Sequence, residues 1–147
     1  MLRLLSLTRP KTKYAWSLAV RQKNIVLVVD DETLILRMVT AALATVGFRA
    51  MVAENGITGL ETYAAMRDEI CLILTDLKMP ICSGVEMADR ILELDSKAKI
   101  LLMSGYSDDD LVVQGKKRFP FINKPFLPED LIRKVRFVLG DADPTAD

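Results

Sequence analysis

The sequence predicts an α/β protein built on a five-stranded parallel sheet covered by helices on both faces. Three observations carry this. Short apolar runs alternate five times with stretches of helical periodicity, the first run is uninterrupted and β-branched, and polar residues end the runs at one kind of position.

The first run, Ile25-Val26-Leu27-Val28-Val29, reads as a strand buried on both faces. Asp30, Asp31 and Glu32 then open a helix through Val46, with Gly47 as its stop. Phe48–Ala53 is the second strand. Asn55-Gly56 makes a turn, and Ile57, Leu60 and Ala64 recur at helical spacing. Leu72–Thr75 is the third strand, ending on Asp76. Ser83-Gly84-Val85-Glu86 matches a capping box, with Met87, Ile91 and Leu94 on one apolar face. Lys99–Met103 is the fourth strand and ends at Ser104. Asp108–Gly115 offers only a short helix, followed by the basic run Lys116-Lys117-Arg118. Phe121–Asn123 is the fifth strand, ending at Lys124. Pro128 starts a last helix with Leu131, Val135 and Val138 on one face, and Gly140 stops it.

The 147 residues suffice for one core, here residues 24–140, between a basic extension (1–23) and a polar tail (141–147). The formal net charge is zero but unevenly placed. Residues 1–24 hold six basic groups and no acid, whereas the remainder has fourteen basic and twenty acidic residues, a net of minus six. That balance argues against a nucleic-acid backbone binder. The absence of histidine removes histidine metal sites and Ser-His or Cys-His dyads. Cys71 and Cys82 form no CxxC pair and read as reduced packing thiols of a cytoplasmic protein. No apolar run reaches the roughly 18–20 residues of a membrane span, and the leucines near the N-terminus are cut short by Pro10.

Asp30, Asp76, Ser104 and Lys124 each stand at the C-terminal end of a strand. In an open parallel sheet these ends share one edge, where such folds bind ligands. Asp30, Asp31 and Asp76 would repel one another there, and a hard divalent cation such as Mg²⁺ would relieve the repulsion. A carboxylate, a hydroxyl, a lysine and a metal together suit phosphoryl transfer to a carboxylate nucleophile. Singly, each residue has a plainer reading: Asp30 or Asp31 as a helix cap, Asp76 as a turn before Pro80, Ser104 as a loop hydroxyl, Lys124 as a solvated charge. Their joint placement on one edge is what points to a site.

The segments VLVVDDE, LILTDLKMP, ILLMSGYS and FINKPF resemble, in order and spacing, the receiver domains of bacterial response regulators. The resemblance covers residues 24 to about 139. It implies a flavodoxin-like sheet of order 2-1-3-4-5 with five helices, the fourth one short. It implies that Asp76 is the phosphoacceptor, that Asp31 binds Mg²⁺ directly and Asp30 through water, and that Lys78 gives the metal its backbone carbonyl. By the same resemblance Ser104 and Lys124 would meet the phosphoryl group and Phe121 would be the aromatic switch. Lys124-Pro125 is often a cis peptide in this family, and Lys78 and Tyr106 would tune the lifetime of the phosphoryl group.

The expected function is therefore that of a two-component receiver. It would take a phosphoryl group from a sensor histidine kinase or phosphotransfer protein and signal to a protein partner by conformational change, without being an enzyme acting on a separate substrate. Seven residues after Gly140 are too few for a DNA reader, so the reading is a stand-alone receiver. The short fourth helix puts the family's usual output face in doubt. The alternative is a degenerate receiver, a binding module that is never phosphorylated; its mark would be a missing acid, hydroxyl or lysine. A haloacid-dehalogenase-type phosphohydrolase would want Asp-x-Asp after a first strand, and this chain has Asp76-Leu77-Lys78 after the third.

Overall fold

The computed structural model describes residues 23–105 and 119–140. The predicted helix at 108–115, the basic run 116–118, Tyr106, nearly all of the N-terminal extension and the tail lie outside them. In chain order the elements are β1 (Ile25–Val29), α1 (Thr33–Ala44), β2 (Arg49–Ala53), α2 (Gly56–Met66), β3 (Ile70–Asp76), α3 (Gly84–Leu94), β4 (Ile100–Ser104), β5 (Phe121–Asn123) and α4 (Pro128–Val138). All strand pairs are parallel, in the order β2-β1-β3-β4-β5. This is the predicted sheet.

The alternation of side chains along β1 explains its unbroken apolar run. Ile25, Leu27 and Val29 enter one core with Tyr63 of α2 and Met87 and Ile91 of α3. Val26 and Val28 enter the other with Leu36, Val39 and Leu43 of α1 and Leu131 and Val135 of α4. A strand packed on both faces has no place for a polar residue until it ends. Each such buried aliphatic side chain contributes about 1.5–3 kcal/mol through removal from water.

Element boundaries shift slightly from those predicted. The first helix begins at Thr33, because the Glu32 amide donates to Asp30 Oδ1 (2.9 Å) and holds the acids in a turn ahead of it. It ends at Ala44 rather than Val46, where the Thr45 hydroxyl donates to the Ala42 carbonyl (2.6 Å) and Gly47 takes φ +91°.

Helix α2 turns only part of the expected aliphatic face inward, with Leu60 packed against the first core. Ile57 and Ala64 are exposed, and the buried residues are Gly56, Gly59 and Tyr63. A Cβ on Gly56 would lie 2.8 Å from the Cys82 carbonyl oxygen, and one on Gly59 would lie 2.7 Å from Met87 Sδ. The helix sits too close to its neighbours for any side chain there. Leu94 of α3 is likewise exposed, while Gly84, Met87, Ala88 and Ile91 are buried. The capping box is present in part, with Ser83 Oγ accepting from the Glu86 amide (3.1 Å). Cys82 is buried in the first core, and burial pushes its thiol pKa up, as suits a packing residue.

Tyr63 anchors the end of the sheet remote from Asp76. Its hydroxyl donates to Asp95 Oδ2 at 3.0 Å, and burial with this bond pushes the phenol up to about 12. Asp95 is held below the usual carboxylate range by the Lys97 amide first and by the Tyr63 hydroxyl next. A depressed carboxyl stabilises the fold above its unfolded value of about 3.9, and that contribution is lost as pH falls through the folded value. Tyr63→Phe is therefore expected to cost about 1 kcal/mol at neutral pH. Urea denaturation should show the gap from wild type narrowing as the pH drops below about 4; a gap that widens in acid would contradict this assignment.

Candidate phosphoryl-acceptor site

Each strand end delivers one group to the same edge. Directly after β1 comes Asp30, which is buried; its amide donates to the Ala53 carbonyl (3.1 Å) and fixes it at the top of the sheet. Asp76, the last residue of β3, is 8% exposed. Ser104 ends β4 and is fully buried. Lys124 follows β5, where its amide donates to the Ser104 carbonyl at 2.7 Å. The Lys124-Pro125 peptide is cis, as the resemblance implied.

Carboxylate oxygens of Asp30, Asp31 and Asp76 lie within 4.8 Å of one another. Lys124 Nζ reaches Asp30 Oδ2 at 2.9 Å, Asp76 Oδ1 at 3.3 Å and Glu32 Oε1 at 3.7 Å. Burial raises the pKa of Asp76 first and the charge of Asp30 raises it further, with Lys124 opposing both. Burial works to lower the pKa of Lys124, but its hydrogen bond to Asp30 and the charges of Asp76 and Asp30 outweigh this and raise it. Lysine is thus held as a cation among acids that it cannot fully neutralise.

That surplus of negative charge is what a divalent cation would relieve. The donor set is oxygen only, with one exposed carboxylate facing solvent and two buried ones beneath it. These residues fit a hard ion such as Mg²⁺, which prefers oxygen ligands and retains several waters.

Other expected site residues are placed as follows. Phe121 is half-buried, paired in register with Leu102 of β4 and packed against the first core. Lys78 has an exposed side chain in the loop after Asp76. Tyr106 is outside the described residues.

Three residues at this edge escaped the sequence reading. Glu32 adds a fourth acid near Lys124. The buried Thr75 hydroxyl donates to the Asp76 carbonyl at 3.0 Å. Gly84 closes the loop from Leu77 back onto β3: its amide donates to the Leu77 carbonyl (2.9 Å), and a Cβ on it would fall 2.1 Å from the Asp76 carbonyl oxygen. In the sequence Gly84 stood only inside a capping box, and no pattern of hydrophobicity signals a close backbone approach.

A family model described as "Response regulator receiver domain" matches residues 26–136. The chain is 31% identical over 119 residues to the chemotaxis protein CheY of Treponema pallidum, covering 78% of this chain and 81% of that protein. It is 32% identical over 124 residues to the phosphate regulon transcriptional regulatory protein PhoB of Pseudomonas aeruginosa, but spans only 53% of its length. Among solved structures it is similar to the CheX–CheY–BeF3–Mg²⁺ complex from Borrelia burgdorferi. The TM-score is 0.70 at 25% identity, covering 78% of this chain and 87% of that one. With the family model matched from β1 into α4, and with strand order and acid cluster agreeing, the chain belongs to the response regulator receiver domain family.

Proposed function

We propose that this chain accepts a phosphoryl group on Asp76 from the phosphohistidine of a sensor histidine kinase or phosphotransfer protein. Receivers of this family are phosphoryl-accepting signalling proteins rather than enzymes with a separate substrate. The observation that carries the assignment to Asp76 is the convergence of three carboxylates within 4.8 Å, with Lys124 Nζ 3.3 Å from Asp76.

In this reading Asp31, Asp76 and the Lys78 carbonyl hold Mg²⁺, with Asp30 behind them. When bound, the ion offsets the negative charge that the phosphoryl oxygens bring beside the acids. A carboxylate oxygen of Asp76 attacks phosphorus as the phosphorus–nitrogen bond of the donor breaks, leaving an acyl phosphate and a free imidazole. Lys124 pairs with a phosphoryl oxygen, and the Ser104 hydroxyl donates to another. Phe121 then follows Ser104 inward and carries the change to a protein partner. The acidic balance of residues 25–147 suits a protein reader better than a nucleic acid.

The proposed unit is residues 24–140, flanked by the basic extension and the polar tail, acting in the cytoplasm. Among the described residues no helix is long and apolar enough to cross a membrane.

Acetyl phosphate or beryllofluoride with Mg²⁺ is expected to modify wild type, and the phosphoryl label to be released by hydroxylamine, as an acyl phosphate is. Asp30→Ala combined with Asp31→Ala is expected to lower Mg²⁺ affinity at least about tenfold by calorimetry and to suppress the label. A hydroxylamine-stable label on serine or threonine, or an unchanged Mg²⁺ affinity, would sink the assignment.

A further inference from the structure

Strand β2 is the outer strand of the sheet, and its face toward α1 stays accessible, with Val52 50% exposed. Ala50 and Val52 of β2 form one wall of a groove of about 800 Å³, and Leu36, Ala41 and Ala44 of α1 form the other. The alanines keep both walls low and leave the space between helix and strand unfilled. Arg37 and Glu54 are the charged residues that line it. Its upper end lies at the acceptor edge, because Ala53 also lines it and the Ala53 carbonyl accepts the Asp30 amide at 3.1 Å. Its lower end lies where the chain enters β1. There the Arg49 amide, one residue before Ala50, donates to the Asn24 carbonyl at 2.9 Å.

We infer that the groove is the seat of the apolar run Ala15-Trp16-Ser17-Leu18-Ala19-Val20 of this same chain, with Trp16, Leu18 and Val20 against α1 and β2. Reach is the first argument. Val20 stands three residues before Lys23, a span of at most about 10 Å, so the run is tethered beside the groove's lower end. A tether this short gives an effective concentration on the order of millimolar, well above that of a free partner. Charge is the second argument. Residues 1–22 carry Arg3, Arg9, Lys11, Lys13 and Arg21 and no acid, against the net negative charge of the remainder. With Val20 near Ala50, the run climbs along β2 toward Ala53. That direction brings Lys13, ahead of the run, to Glu54 at the upper end, and Lys11 toward the acids that precede Thr33 in the other wall. Opposite charges thus fix the direction, and apolar contact supplies the hold.

Trp16 is the chain's only tryptophan, so its fluorescence reads the seat directly. In the full chain without denaturant, its emission is expected to be blue-shifted from that of the urea-unfolded chain, with acrylamide quenching at least about threefold weaker. Val52→Lys and Ala41→Lys each put a charge into the groove at an exposed position, where substitution is tolerated. Both should move emission and quenching at least halfway to those of the unfolded chain, with helical circular dichroism unchanged. Ile57→Lys, on α2 and outside the groove, should leave Trp16 as shielded as in wild type. Solvent-like emission in wild type would overturn the seat. Shielding that survives both groove variants would place Trp16 elsewhere and overturn it too. Equal loss of shielding in Ile57→Lys would show that the groove is not the cause. Shielding that disappears on dilution would assign the groove to a second copy of the chain instead.

Discussion

Asp76→Asn is expected to abolish hydroxylamine-labile labelling altogether and, with metal removed by EDTA, to make the protein more stable at neutral pH. The first effect follows from loss of the nucleophile: an amide cannot form the acyl phosphate. The second follows from the position of the carboxyl. Burial and then the charge of Asp30 hold its pKa above the ordinary range, against the pull of Lys124. The sign is opposite to that of a salt-bridged surface acid. Above the unfolded value of about 3.9 the unfolded chain releases this proton while the folded chain still holds it, so stability falls as pH rises toward the folded value. Asparagine does not titrate and escapes this loss. The variant's advantage should be absent below about pH 4 and complete above the folded value. Thermal midpoints in EDTA at acid and neutral pH measure it. Added Mg²⁺ should narrow the gap, because wild type keeps all three carboxylates. A variant less stable than wild type in EDTA at neutral pH would show that the 3.3 Å contact with Lys124 outweighs the burial cost.

This coupling of function to a strained acid cluster was partly legible in the sequence. Strands buried on two faces hold few polar residues, so Asp30, Asp76 and Ser104 marked the strand ends by interrupting apolar runs, Lys124 followed the fifth run, and a parallel sheet put those ends on one edge. The strand order came from the family resemblance. Periodicity alone could not say which acid Lys124 would hold most closely, and the structure gives Asp30 at 2.9 Å before Asp76 at 3.3 Å. The face of α2 was legible only at Leu60, which packs against the first core; its closest contacts are made by Gly56 and Gly59, which have no side chain to register in a hydrophobic pattern, while Ile57 and Ala64 face solvent. Ile81 was equally silent, since a positive φ at an isoleucine has no sequence signature.

Gly84→Ala is the change at a glycine expected to damage the acceptor site most. The added Cβ would meet the Asp76 carbonyl oxygen at 2.1 Å, its carbon at 3.1 Å and Leu77 Cα at 3.2 Å. All three are backbone atoms, so no side-chain rotation can make room. Either α3 withdraws from β3, breaking the hydrogen bond from the Gly84 amide to the Leu77 carbonyl, or the carbonyl of Asp76 turns away from the Thr75 hydroxyl. Both routes move the backbone that aims the Asp76 carboxylate and carries Lys78. The expected cost is about 2–4 kcal/mol in urea denaturation, with at least about tenfold slower acetyl phosphate labelling in the folded fraction. Gly47→Ala separates the two effects. Gly47 has φ +91° and nothing within 4 Å of a Cβ, and it lies beyond α1 at the far end of the sheet. Its substitution should cost about 1 kcal/mol through backbone strain and leave the labelling rate of folded protein unchanged. Equal labelling rates for folded Gly84→Ala and wild type would show that the loop from Leu77 to Gly84 does not set the aim of Asp76.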